Sequence, residues 1–167
     1  MKISDLWGIS VKKPVLKPLI LIHWKRPDAG WVKVNTDAIV QDLLNNFAVG
    51  GIIRGQDGRF LGAFRKRVKK MAIFEAELIA IVEGVKYCHM KNHSHIIVES
   101  DSLAVITFLK ASNDDVNWKW WSHVHALNQL SDLHLKFCHI YREGNYVADL
   151  LACEVITLGP SSDLSID

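Results

Sequence analysis

Cysteine is scarce in this chain. Cys88, Cys138 and Cys153 are an odd number with no C-x-x-C pair, which speaks against a disulfide framework or a zinc knuckle and for reduced, packed thiols. No apolar run reaches the length of a bilayer crossing, and residues 1–10 lack the charged-then-apolar order of a secretory signal. A soluble, intracellular protein without a membrane partner is therefore expected, in nucleus or cytoplasm. Charge of one sign is lacking too: a formal balance of +2 does not by itself announce a nucleic-acid partner. No internal repeat is visible. Three of the four prolines, Pro14, Pro18 and Pro27, lie near the start, and with scattered lysines they mark residues 1–29 as a linker or tail. What is present is ordinary globular composition, with 49% hydrophobic and 23% charged residues in 167. That excludes disordered, collagen-like and coiled-coil chains and provides for one domain with a real core. Its expected bounds are 30–157, followed by a Ser/Asp-rich tail at 158–167.

From Trp31 the texture changes. Val32, Val34 and Thr36 alternate with Lys33, Asn35 and Asp37, the two-residue period of a half-buried strand. A second strand is expected over 47–54 and a third over 59–64, joined by the turn chemistry of Gln56-Asp57-Gly58. An apolar-periodic stretch over 73–88 predicts a helix. A short buried strand at 95–101 leads to a helix at 102–110, capped by a serine or aspartate and broken at Asn113 to Asp115. A longer amphipathic segment over 116–130, a strand over 134–141 and a last helix over 145–156 complete the order β-β-β-α-β-α-α-β-α. This is an α/β mixed sheet whose later strands, joined by helical crossovers, run parallel.

Four acids sit where a core residue would be expected. Asp37 ends the first strand and Asp101 the fourth, and chemistry in open sheets collects beyond the carboxyl ends of parallel strands. At about 100° per residue, Glu77 falls within the stripe of Ile73, Ala80, Ile81, Gly84 and Cys88, so it faces the core. Glu75 lies on the other side and is expected to be solvated, as is Glu83, within reach of Lys86. In the last helix Asp149 shares a face with Asn145, Ala152, Cys153 and Ile156. Taken singly, each acid has an ordinary explanation as a turn residue, a lysine partner or a helix end. Four together are better explained by a hard divalent cation, Mg²⁺ or Mn²⁺, because bare buried carboxylates are costly.

Val34-Asn35-Thr36-Asp37, Ala76-Glu77-Leu78, Glu99-Ser100-Asp101-Ser102 and Arg142-Glu143-Gly144-Asn145-Tyr146-Val147-Ala148-Asp149 follow one another at fixed separations. In this order they resemble the ribonuclease H type 1 domain, in the branch found in plant retroelements and plant proteins derived from them. Gly50-Gly51-Ile52-Ile53-Arg54, and Trp24-Lys25-Arg26-Pro27 before Gly30-Trp31, are similar to that branch as well. The resemblance implies a five-stranded mixed sheet, the first three strands antiparallel, flanked by helices. It implies metal-binding catalytic roles for Asp37, Glu77, Asp101 and Asp149, with Asn145 and Arg142 touching substrate. The implied activity is metal-dependent endonucleolytic hydrolysis of the RNA strand of an RNA/DNA hybrid, with Mg²⁺ (or Mn²⁺) ions in a pair about 3.5–4 Å apart. RNA would be told from DNA by its 2′-hydroxyl and the groove shape of the hybrid.

The chain also departs from the family. Ala38 stands where many members have glycine after the first aspartate. The loop before the last aspartate is short and lacks the mobile histidine of bacterial and animal enzymes, so His139 matches an upstream strand position and Arg142 is placed near the departing phosphate instead. Ala72-Ile73-Phe74-Glu75 lacks the small polar side chains that grip the DNA strand. These departures favour a second reading, a binding module that keeps the fold with little turnover and uses its surface for nucleic acid or protein. A fragment of a reverse-transcriptase polyprotein is a third context, and a monomer is expected. The basic run Arg65 to Lys70 suits phosphate contact or a nuclear address, or simply a solvated edge strand. Trp118, Trp120 and Trp121 are read first as packing residues and second as stacking platforms. His93, His95, His123 and His125 have i+2 spacing, which on a helix points each pair apart and argues against zinc.

Overall fold

The computed structural model describes residues 22–41, 46–111 and 118–158. Five strands and four helices are described: β1 (Val32–Gln41), β2 (Asn46–Arg54), β3 (Phe60–Arg67), α1 (Ile73–Met90), β4 (His95–Ser100), α2 (Leu103–Lys110), α3 (Trp118–Asn128), β5 (His134–His139) and α4 (Arg142–Leu158). The break expected at Asn113 to Asp115, residues 1–21 and residues 159–167 lie outside the described residues. The strands form one sheet in the order β3-β2-β1-β4-β5. β1 pairs antiparallel with β2, and β2 with β3, while β4 lies parallel to both β1 and β5.

β1 is the central strand, and the half-buried reading of its alternation is corrected by the structure. Residues 32–38 are all buried. Val34 and Thr36 meet α1, whose Gly84 has no Cβ because one would stand 2.9 Å from Thr36 and 3.0 Å from Val34. Lys33, Asn35 and Asp37 point to the other face, where α4 lies. There Gly50, the register partner of Asp37, lets the backbone of α4 approach: a Cβ would fall 2.5 Å from the Ala152 nitrogen. The main core, including Val34, Leu78, Ile81, Val98 and Ile106, fills the space between the sheet and α1 to α3. Each such fully buried side chain contributes about 1.5–3 kcal/mol.

Several elements run longer than their sequence signal. β3 continues through Arg67, so Arg65 and Lys66 are edge-strand residues; they pair with Glu154 (2.9 Å) and Glu83 (3.0 Å). Glu83 thus reaches across to β3 rather than along its helix to Lys86. α4 starts at Arg142, so the stretch read as a loop is its first turn. Ser102 stands at the α2 N-cap without a side-chain cap, and its N–H is accepted by Ser100 Oγ at 3.1 Å. Trp120 packs on Phe74 and Phe108, with ring centroids at 4.5 and 5.7 Å, while Trp121 is exposed.

Candidate metal centre

β1 does not end at Asp37. Its parallel pairing with β4 stops at Asn35 opposite Glu99, and it continues with β2 alone to Gln41. Asp37 therefore stands where β1 and β4 part company. Asp101 follows the last residue of β4, and Glu77 begins the second turn of α1, reaching over the sheet end. The ligand oxygens of Asp37, Glu77 and Asp101 lie within 4.8 Å of one another. Asp149 enters from α4 and hydrogen-bonds to the Asp37 carboxyl. These four acids, with Ala38, Ile39, Val40, Ile73, Arg142 and Cys153, line a cleft of about 470 Å³.

The electrostatics of the cleft are set by crowding of like charge away from water. Burial and then the Asp101 charge push the Asp37 carboxyl up to about 8, opposed by a hydrogen bond from the Ala38 backbone and helped to a lesser degree by Asp149. Burial, then Asp37 and Asp101, push Glu77 up to about 9, opposed by Arg142. Cys153, one turn beyond Asp149, is raised by burial and by the Asp149 and Asp37 charges. Two buried acids held neutral by their surroundings are the signature of a site missing positive charge. One atom sharpens the point: Glu77 Oε2 is buried and has no hydrogen-bond partner. A carboxylate oxygen in that condition is costly unless something outside the protein satisfies it. The donor set is all carboxylate, which suits a hard divalent cation rather than zinc or copper.

Arg142 and Asn145 part ways. The Arg142 side chain is 77% exposed at the cleft rim, with its Nη2 3.6 Å from Asp149 Oδ1. Asn145 is buried, and its Nδ2 donates to the Thr36 carbonyl at 2.9 Å. The structure thus turns the Asn145 side chain inward, where it ties α4 to β1. Glu75 is also corrected: it is not free in solvent but faces α3, with Lys119 Nζ at 3.9 Å and His123 Nε2 at 3.8 Å.

One cluster was missed from sequence. Lys33 Nζ donates to Glu99 Oε1 at 2.6 Å, and Asn35 Nδ2 donates to Glu99 Oε2 at 2.9 Å and to Asn145 Oδ1 at 3.4 Å. From the segment before β1, the Trp24 indole N–H donates to Asn35 Oδ1 at 3.0 Å, and the Lys25 carbonyl accepts from Lys33 Nζ at 2.8 Å. The available signal was the polar register of β1, which pattern rules assign to water.

A five-stranded sheet in this order, with acids gathered where its two central parallel strands separate, defines a ribonuclease H fold. The chain superposes on the ribonuclease H1 of the halophilic archaeon Halobacterium salinarum with a TM-score of 0.68 and 22% identity, covering 77% of this chain and 98% of that one. It superposes on the N-terminal ribonuclease H domain of a Mycobacterium tuberculosis protein with a TM-score of 0.68 and 16% identity, over 76% and 94%. A ribonuclease H1 called LC11, solved in complex with an RNA/DNA hybrid, matches with a TM-score of 0.66 and 18% identity over 74% and 94%. The family follows from sequence: residues 35–155 match the Reverse transcriptase-like family, and the chain belongs to it. A provisionally named ribonuclease H protein of Arabidopsis thaliana is 31% identical over an alignment of 140 residues that covers 79% of this chain and 22% of that protein. The chain thus spans about a fifth of that relative's length.

Proposed function

We propose that this domain is a metal-dependent endonuclease that hydrolyses the RNA strand of RNA/DNA hybrids, using Mg²⁺ or Mn²⁺ held by Asp37, Glu77, Asp101 and Asp149. The observation that carries the reading is the triad of Asp37, Glu77 and Asp101 with a buried, unsatisfied Glu77 oxygen. When bound there, divalent cations supply charge neutralisation at the scissile phosphate and a nucleophilic water at neutral pH. The chain's own contributions are distinct. Glu77 and Asp37 carry protons in the metal-free cleft and surrender them on loading. The Asp149 carboxyl, hydrogen-bonded to Asp37, closes the α4 side. Arg142, exposed at the rim, presents its guanidinium to a phosphate oxygen.

A second reading, a binding module with little turnover, is favoured by one observation. Ile73, at the cleft rim, is 51% exposed and apolar, where a grip on a phosphate backbone calls for donors. An end-labelled RNA/DNA hybrid and the matching RNA duplex, each incubated with Mg²⁺, Mn²⁺ or chelator, separate the two. Metal-dependent cutting of the RNA strand of the hybrid, abolished in Asp101→Asn, is the expected outcome. A folded protein that binds hybrid and cuts nothing at high concentration overturns the enzyme reading and leaves the binding module.

A further inference from the structure

We propose that residues 22–27 are a positioning strap for the metal centre, anchored by Trp24, which acts through a buried chain of amides to hold Asp149 against Asp37. The proposal rests on the reading of Asp37 and Asp149 as cation ligands, and it assigns a role to a segment whose sequence reads as linker.

The chain has no gap. The Trp24 indole N–H occupies Asn35 Oδ1 at 3.0 Å, which fixes the orientation of the Asn35 amide. The Asn35 Nδ2 then points at Glu99 Oε2 (2.9 Å) and Asn145 Oδ1 (3.4 Å). Asn145 Nδ2 in turn donates to the carbonyl of Thr36 at 2.9 Å. Thr36 directly precedes Asp37, and Asn145 stands four residues, one helical turn, before Asp149. The last bond therefore ties together the two backbone segments from which Asp37 and Asp149 project. Asn35 and Asn145 are each 1% exposed, so no water is at hand to replace a lost partner.

The strap is held by more than one bond. The Lys33 ammonium, paired with Glu99, also donates to the Lys25 carbonyl at 2.8 Å. The Arg54 guanidinium lies over the Trp24 ring, 4.6 Å from its centroid, and Lys33 Nζ lies 5.5 Å from it. Two cations on one indole hold the ring in place beyond its hydrogen bond. Without the Trp24 donor, Asn35 Oδ1 is left buried and unpaired, its amide is free to turn, and the α4 tie at Asn145 loses one of its bonds. The cost is then felt at Asp149, one turn further along α4.

Trp24→Phe keeps an aromatic ring beneath the Lys33 and Arg54 cations and removes the N–H together with the rest of the pyrrole half of the indole. In the full chain, Mn²⁺ binding measured by calorimetry without substrate should weaken about tenfold, the usual scale for a partner behind a ligand. RNA cleavage should drop by a similar factor at limiting Mg²⁺ and recover at high Mg²⁺, beside a fall of a few degrees in melting temperature from the unpaired Asn35 oxygen. Trp121→Phe, on the exposed face of α3, should alter none of these. A Trp24→Phe protein with native Mn²⁺ affinity, or one that loses thermal stability alone, overturns the strap. Asn145→Ala provides the second measurement: hydrogen exchange in the first turns of α4 should quicken while β2 and β3 stay protected, and uniform quickening also counts against the proposal. If the native protein binds Mn²⁺ yet cuts no hybrid, the enzyme reading falls while the Mn²⁺ comparison still decides the strap. If the native protein binds no Mn²⁺, both fall.

Discussion

At the scale of single residues the cleft is a place where protonation and stability are opposed. Asp37 moves from an ordinary 3.8 to about 8 and Glu77 from 4.5 to about 9 in the metal-free fold. An acid raised on folding keeps its proton longer in the native state, so the native state binds more protons and stability falls as pH rises. The window opens at about pH 4, below which folded and unfolded forms are both protonated, and runs to about pH 8–9, where the folded acids ionise. Asp37→Asn should therefore stabilise the metal-free protein, by on the order of 2 kcal/mol near pH 8 and by little near pH 4, while abolishing cleavage. Chemical denaturation at the two pH values checks it, and equal effects at both would refute the assignment. Glu75→Gln should do the reverse: cleavage intact and stability lower by about 0.5 kcal/mol, since its contacts are Lys119 and His123 on α3 at nearly 4 Å. Helical phase was enough to turn Glu77 inward from sequence. It could not find the partners of Glu75, because they belong to a helix more than forty residues away.

At the scale of elements, most of the fold was legible because its strands and helices carry clean periods, and the errors fall where an element is covered by something distant. The alternation of Val34 and Thr36 with Lys33 and Asn35 correctly located β1. It misplaced the polar face, which is roofed by α4 and by residues 22–27 instead of water. The start of α4 was set too late because Gly144 and the charged residues before it resemble a turn, yet the helix begins at Arg142. The glycine that matters most for placing this helix is on the strand beneath it. Gly50→Ala would bring a Cβ to 2.5 Å from the Ala152 nitrogen and 2.9 Å from the Leu151 carbonyl carbon, both backbone atoms that cannot rotate away. A loss of about 1–3 kcal/mol in urea unfolding is expected, together with a disproportionate loss of cleavage because Asp149 rides on the displaced helix. Retained activity with that destabilisation would show that α4 can shift without carrying Asp149 out of place.

At the scale of the whole molecule, a net charge of +2 conceals a segregation that only the fold creates. Four acids gather at one cleft beyond the central strands, while the basic run Arg65 to Lys70 lies along and just beyond the edge strand β3. A cation entering the cleft acts on the stability of the entire domain, and pH decides how strongly. Near pH 5 both Asp37 and Glu77 are protonated in the native state, whose pKa values are about 8 and about 9, so binding must displace about two protons and is weak. Near pH 9 the Asp37 proton is largely gone and Glu77 is about half ionised, so the repulsion among the acids is far greater than near pH 5 and the bound cation relieves more. Chelator should consequently lower the melting temperature strongly near pH 9 and hardly at all near pH 5. Calorimetric titration with Mn²⁺ in two buffers of different ionisation enthalpy near pH 7 should reveal proton release approaching two per site, falling to about one in Glu77→Gln. A chelator effect independent of pH, or binding without proton release, would mean that the cation is held elsewhere than at the buried oxygens of Glu77 and Asp37. The metal and the protons compete for the same carboxylates, so one titration reports on both.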